Sequence, residues 1–157
     1  MEPNRKPTAA AYALILITGL FGLLSSGCVT RRAPDPLSPA ERLNLGVTYE
    51  QSGRLELALR EYKRAERGDL RGTALAYQGN IHTTLGDLQR AESVYRAALR
   101  INPDELTALN NLAWLLAGNH RNLEEAEQLI LHALSLNPEP EEPFRNTLET
   151  IRGRMEN

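Results

Sequence analysis

Cysteine is nearly missing from these 157 residues: Cys28 stands alone, so no intramolecular disulfide can form. The fold therefore relies on packing rather than cross-links. Aromatic residues make up only 5% of the chain, while alanine and leucine abound; that balance favours helices joined by short turns over a sheet. Lysine occurs twice, at Lys6 and Lys63, and the formal net charge is −2, which provides no general excess of positive charge to hold a nucleic acid. There is no P-loop, no GxSxG, no HExxH and no plausible triad. His82, His120 and His132 are scattered, with no cysteine or carboxylate at metal-ligand spacing. No enzyme, cofactor, metal or small-molecule substrate is expected. The longest apolar run, Ala13 to Leu24, has twelve residues, short of the ~20 needed to cross a bilayer.

That run gives the lone cysteine its meaning. Arg5 and Lys6 form a charged head before it, and Ser25-Ser26-Gly27 place small residues just ahead of Cys28. A charged head, a short apolar core and small residues at a cleavage point are what a signal peptidase reads. The segment resembles a bacterial lipobox, which implies cleavage after residue 27 and lipid attachment at the Cys28 sulfur. One departure is Ser25, where an aliphatic residue is usual; Leu24 lies one place further out. An uncleaved N-terminal anchor is the competing reading, and Arg31 and Arg32 after the run blur the charge rule for orientation. Both readings place the rest of the chain on a membrane, outside the cytoplasm. Val29 rather than aspartate after the cysteine fits outer-membrane sorting, as the resemblance implies. Residues 28–38, with Pro34 and Pro36 and no apolar periodicity, read as a tether.

The remainder repeats itself. Gly46, Gly53, Leu55, Ala58, Tyr62, Ala65 and Arg67 match Gly79, Gly86, Leu88, Ala91, Tyr95, Ala98 and Arg100 at an offset of 33. A third copy follows: Leu75 and Gly79 map to Leu109 and Ala113 at 34, and Leu88, Ala91, Ala98, Asn102 and Pro103 map to Leu123, Ala126, Ala133, Asn137 and Pro138 at 35. Periods of this length signal a solenoid. Each unit predicts two helices: Leu75, Gly79 and His82 recur at helical spacing on the first, Ala91, Tyr95 and Ala98 on the second. Gly86-Asp87 makes the turn between them, and Pro103 ends the second. Gly46, Gly79 and Ala113 are the small residues that permit close helix approach.

This pattern resembles the tetratricopeptide repeat, a helix-turn-helix of 34 residues, over residues 39–138. Gly46, Gly79 and Ala113 match its small position, and Ala58, Ala91 and Ala126 its first alanine. Tyr62 and Tyr95 match its aromatic, with Ile130 departing. The resemblance implies an all-α solenoid of three repeats (39–71, 72–105 and 106–138). Phe144, Leu148, Ile151 and Met155 predict a capping helix within residues 139–157. His82 is then a packed histidine, His120 lies in a turn and His132 near an exposed side. The resemblance also implies a concave face lined by Asn44, Val47, Tyr77, Asn80, Thr84, Asn110, Asn111 and Trp114. Asparagine offers both a donor and an acceptor, and Trp114 is suited to anchoring a partner side chain. The lysine-containing clamp that some such repeats use for a C-terminal carboxylate is missing.

Charge is unevenly distributed. Residues 28–100 hold 12 basic and 9 acidic groups, whereas 101–157 hold 4 and 10. Arg60, Arg64, Arg67 and Arg71, joined by Lys63, fall at helical spacing and read as a basic convex stripe. The expectation is a lipid-anchored scaffold of the bacterial envelope, most simply at the outer membrane, that binds a protein or peptide. Small lipoproteins it resembles assist secretin or pilus assembly; others of this fold serve as adaptors for peptidoglycan hydrolases or synthases. Oligomeric state stays open.

Overall fold

The computed structural model describes residues 36–118, 122–136 and 142–156. Cys28, the signal segment, most of the tether and His120 lie outside the described residues. Residues from Pro36 onward form a compact unit of their own, built from α1 (Pro39–Gln51), α2 (Leu55–Ala65), a 3-10 turn (Gly68–Leu70), α3 (Arg71–Thr84), α4 (Leu88–Ile101), α5 (Leu106–Gly118), α6 (Leu123–Leu136) and α7 (Glu142–Met155). Among the described residues no helix is long and apolar enough to cross a membrane.

The start of the array is specified locally. Ser38 caps α1 in a reciprocal box: its hydroxyl accepts from the Glu41 amide, and the Glu41 carboxylate accepts from the Ser38 amide at 2.7 Å. Pro39 fills the first helical position, where a missing N–H costs nothing. The turns after α1 and α3 each place a glycine in the left-handed region, Gly53 at φ +72° and Gly86 at +75°. With turns this short, α1–α2 and α3–α4 fold back as antiparallel hairpins.

Within each hairpin the small residues do what their spacing predicts. A Cβ on Gly46 would stand 2.3 Å from the Tyr62 ring, and one on Gly79 would stand 2.3 Å from the Tyr95 ring. Both tyrosines are almost wholly buried, so each ring packs directly on bare backbone. The third hairpin changes both partners together: Ala113 and Ile130 occupy the corresponding positions and are fully buried. Successive hairpins stack, with core clusters around Tyr62, Ala65 and Ile81 at one end and around Tyr95, Leu112, Leu116 and Ile130 at the other. Arg96 clamps the stack across the second helices, its guanidinium donating to both Glu125 oxygens at 2.5 and 3.1 Å.

The terminal helix is a cap, as its apolar spacing predicts. Ile151 is fully buried in the second cluster, with Phe144 and Leu148 packed beside it. Arg152 donates to Glu127 at 3.2 Å, and Arg154 donates to the Ala117 carbonyl near the end of α5. Met155 differs from expectation: it is 42% exposed, because it falls at the last residue of the helix.

The basic stripe is also corrected. α2 ends at Ala65, Arg67 has extended backbone (φ −138°, ψ 143°), and Arg71 opens α3. The five cations are exposed but do not form one helical face. The first repeat lacks the Asn-Pro that closes the second, and Gly68 at φ +55° turns the chain early instead.

Candidate partner-binding surface

The first helix of each hairpin supplies one side of the array. On it, Asn80 from α3 and Asn111 from α5 lie side by side: the Asn111 amide donates to Asn80 Oδ1 at 2.7 Å, and the Tyr95 hydroxyl donates to the same oxygen at 2.8 Å. Asn110 extends the chain by donating to Asn111 Oδ1 at 2.9 Å. The asparagine acceptors at 80 and 111 are thus engaged within the protein, while the Asn80 amide has no acceptor among the described residues. Sequence reasoning credited these asparagines with a free donor and a free acceptor each; the ladder leaves them mainly as donors.

Asn110 is the exception. Its Oδ1 is buried and has no hydrogen-bond partner among the described residues. Its orientation is set by its own amide, which must face the Asn111 oxygen. Buried acceptors without a donor are costly and uncommon in native proteins. The position corresponds to Leu43 and Ala76 in the earlier repeats, both buried apolar residues. Asn110 is half-buried beside the cap helix, with its acceptor oxygen out of reach of solvent.

There the cap completes a recess that the repeat pattern alone does not foretell. Asn110, Asn111 and Trp114 from α5 and Pro143, Asn146, Thr147 and Thr150 from α7 line an open pocket of about 360 Å³. Every lining side chain is neutral. Trp114 is 51% exposed despite its size, which leaves a large apolar face uncovered beside hydroxyls and amides. Thr147 and Thr150 spend their hydroxyls on main-chain carbonyls of their own helix, at 2.9 and 2.8 Å.

The other predicted lining residues divide. Asn44 and Thr84 are exposed, and the Thr84 hydroxyl donates to the Asn80 carbonyl at 3.0 Å. Val47 and Tyr77 are half-buried and pack on the first core cluster, with the Tyr77 ring centroid 5.3 Å from that of Tyr62. Asn111 and Trp114 thus line the cap recess, Asn80 is joined to it only through its bond from Asn111, and Val47 and Tyr77 are largely spent on packing. Asn146, Thr147 and Thr150 were missed, since nothing in the repeat register reports where a cap helix docks.

Among the described residues no three histidine, cysteine or acidic side chains cluster as metal ligands. His82 is buried, and desolvation, aided by nearby Arg90, holds its imidazole below the usual histidine range. His132 is exposed and pairs with Asp104 at 2.8 Å. Glu125 is held below the usual carboxylate range by its hydrogen bond to Arg96, a structural use of that acid.

Comparison with known proteins places the architecture. Two family models, both described as the tetratricopeptide repeat, match residues 42–67 and 78–139, together more than half of the chain. Among solved structures, the first tetratricopeptide domain of Spaghetti (RPAP3) bound to the HSP90 peptide SRMEEVD is 19% identical. The match covers 78% of this chain and 97% of that one, with a TM-score of 0.66. The Sgt2 domain of Aspergillus fumigatus is 15% identical over 79% of this chain and 82% of its own, at 0.67. A tetratricopeptide repeat protein of Parabacteroides merdae is 26% identical over 94% of this chain and 59% of its own, at 0.61. No curated protein matches the chain.

Proposed function

We infer that this chain, which belongs to the tetratricopeptide repeat family, is a protein-interaction scaffold tethered to a bacterial envelope membrane through a lipid on Cys28. Its partner engages the recess between α5 and α7. The observation that carries this reading is the half-exposed Trp114 set beside the exposed Asn146 and Thr150 in one open recess. An exposed indole next to an exposed amide suits an extended segment, which can lay a side chain on the ring and exchange backbone hydrogen bonds with Asn146.

The neutral lining narrows the class of partner. The peptide held by the RPAP3 domain carries three acidic side chains; no cation lines the recess here to meet such charges. A segment with apolar and neutral polar side chains fits better, because a carboxylate brought here would lose hydration without an opposite charge in return. The signal-like segment ahead of Cys28 supports a periplasm-facing position, most simply on the outer membrane. In that setting the reading is a scaffold assisting assembly of a secretin-type secretion or pilus complex.

The test is in-cell crosslinking followed by pull-down, comparing the wild-type chain with a Trp114→Ala/Asn110→Ala variant of unchanged thermal midpoint. A partner captured by the wild type and reduced at least tenfold in the variant is expected. Equal capture by both would move the binding site off this recess. Loss of the chain should leave secretin subunits unassembled; normal secretin assembly would reject the pathway while leaving the recess intact.

A further inference from the structure

Seven described cations, Arg54, Arg60, Lys63, Arg67, Arg71, Arg100 and Arg145, are exposed without a carboxylate partner among the described residues, and four of the seven fall together. Arg42, Arg64, Arg90, Arg96 and Arg152 each face a carboxylate, and Arg154 donates to a main-chain carbonyl. The four that fall together are Arg60, Lys63, Arg67 and Arg71. These four, with Arg64, occupy the last turns of α2, the link after it and the first residue of α3. A run of unpaired cations so close together is what ion pairing elsewhere in the same molecule avoids.

The topology gives this cluster a direction. α1 and α2 form an antiparallel hairpin, as the Gly46–Tyr62 approach shows, so α1 begins at the edge where α2 ends. α3 begins there too: Gly72 lies against Asn102, and Thr73 donates to Glu105 at 2.8 Å. The chain therefore enters the domain at the edge that carries Arg67 and Arg71. Seven residues separate Cys28 from Pro36, so the eight Cα–Cα steps span at most about 28 Å of fully extended chain. Arg31 and Arg32 in that stretch add two further positive charges.

The nearby acids do not neutralise the edge. Glu61 is buried against Arg42 and also accepts from the exposed Arg64, Glu66 accepts from Gln78 at 2.8 Å, Glu41 is engaged by Ser38 at the start of α1, and Glu56 stands a turn before Arg60 at the start of α2. Asp69 is the exposed anion within the 3-10 turn. At the other end of the chain, residues 101–157 carry 10 acids against 4 bases, and a negative surface would repel them.

We propose that this basic edge docks on anionic phospholipid headgroups, turning the first repeat toward the bilayer and the capped end away from it. Each cation near such a surface strengthens binding about fivefold, and the attraction fades as salt shortens the Debye length. Docking would leave the Trp114 recess presented to the periplasm, an orientation a flexible tether alone does not impose. The orientation rests on the membrane anchoring proposed above; the lipid contact itself is testable without it.

The experiment uses the chain from Val29 onward, which contains the whole compact unit and lacks Cys28, so lipidation does not affect the outcome. Binding is measured to vesicles of phosphatidylcholine with and without phosphatidylglycerol. The expected result is binding only to the anionic vesicles, lost as salt is raised. Arg67→Gln/Arg71→Gln should weaken it roughly 25-fold. Arg54→Gln/Arg145→Gln, an equal change in net charge away from the edge, should weaken it much less. No binding at low salt, equal binding to neutral vesicles, or equal weakening by both variants would overturn the proposal. So would self-association abolished by Arg67→Gln/Arg71→Gln, which would assign the edge to a second copy of the chain.

Discussion

Gly79 and Tyr95 show how much one missing methyl decides. A Cβ at position 79 would sit 2.3 Å from the Tyr95 ring, far inside van der Waals contact, and the ring is too enclosed to swing away. Gly79→Ala should cost about 1–3 kcal/mol by overpacking, despite the better helix propensity of alanine. The third repeat holds the remedy, because Ala113 faces Ile130. Tyr95→Ile introduced with Gly79→Ala should therefore recover part of the loss, apart from the lost Tyr95 hydrogen bond to Asn80. Chemical denaturation of the two single variants and the double variant checks this, and strict additivity would refute the packing account. His82 acts through charge instead. Burial and Arg90, with a smaller push from Lys63 and an opposing pull from Asp87, favour its neutral form. The folded pKa lies below the unfolded one, so its stabilising share is complete above the unfolded value near 6.5 and is lost as pH falls toward the folded value. His82→Leu should flatten that part of the stability profile; an unchanged slope would assign the acid sensitivity to other groups.

At the scale of the element, α7 is both lid and wall. Its Ile151, Phe144 and Leu148 cover the open end of the second core cluster, and its Asn146 and Thr150 form half of the recess. Ending the chain after Leu136 should lower stability by about 3–5 kcal/mol, from the apolar area returned to water, and should promote self-association through the bared helices. Thermal melts and sedimentation velocity would register both effects. A truncated chain that melts like the whole one and stays monomeric would mean α7 is an ornament rather than a cap. α2 teaches the opposite lesson about helix ends. The cation spacing from Arg60 to Arg71 satisfied a helical period, yet the helix stops at Ala65 because Gly68 reverses the chain. Charge periodicity has no way of knowing where hydrogen bonding stops.

Across the whole molecule, the repeat register was legible because each hairpin meets the same packing problem and solves it with the same residue sizes. It even reports paired exceptions. Arg42 and Glu61 form a buried ion pair at positions where the second repeat has Leu75 and Val94 and the third has Leu109 and Leu129. Both members of the pair depart from the pattern together, as Ala113 and Ile130 do, and that joint departure is a contact signal readable without coordinates. The lining of the recess was legible only on its α5 side. What the sequence determined by itself was the class of fold, the three hairpins, their close-approach residues and the existence of a cap, since all of these follow from local periodicity and repeated size. What the tertiary structure decided was which asparagine acceptors are already engaged, that Asn110 Oδ1 has no donor among the described residues, that α7 joins Trp114 in one recess, and that four unpaired cations gather where the chain enters the domain. Those facts depend on residues distant along the chain meeting in space, and periodicity along one helix carries no record of what docks against it.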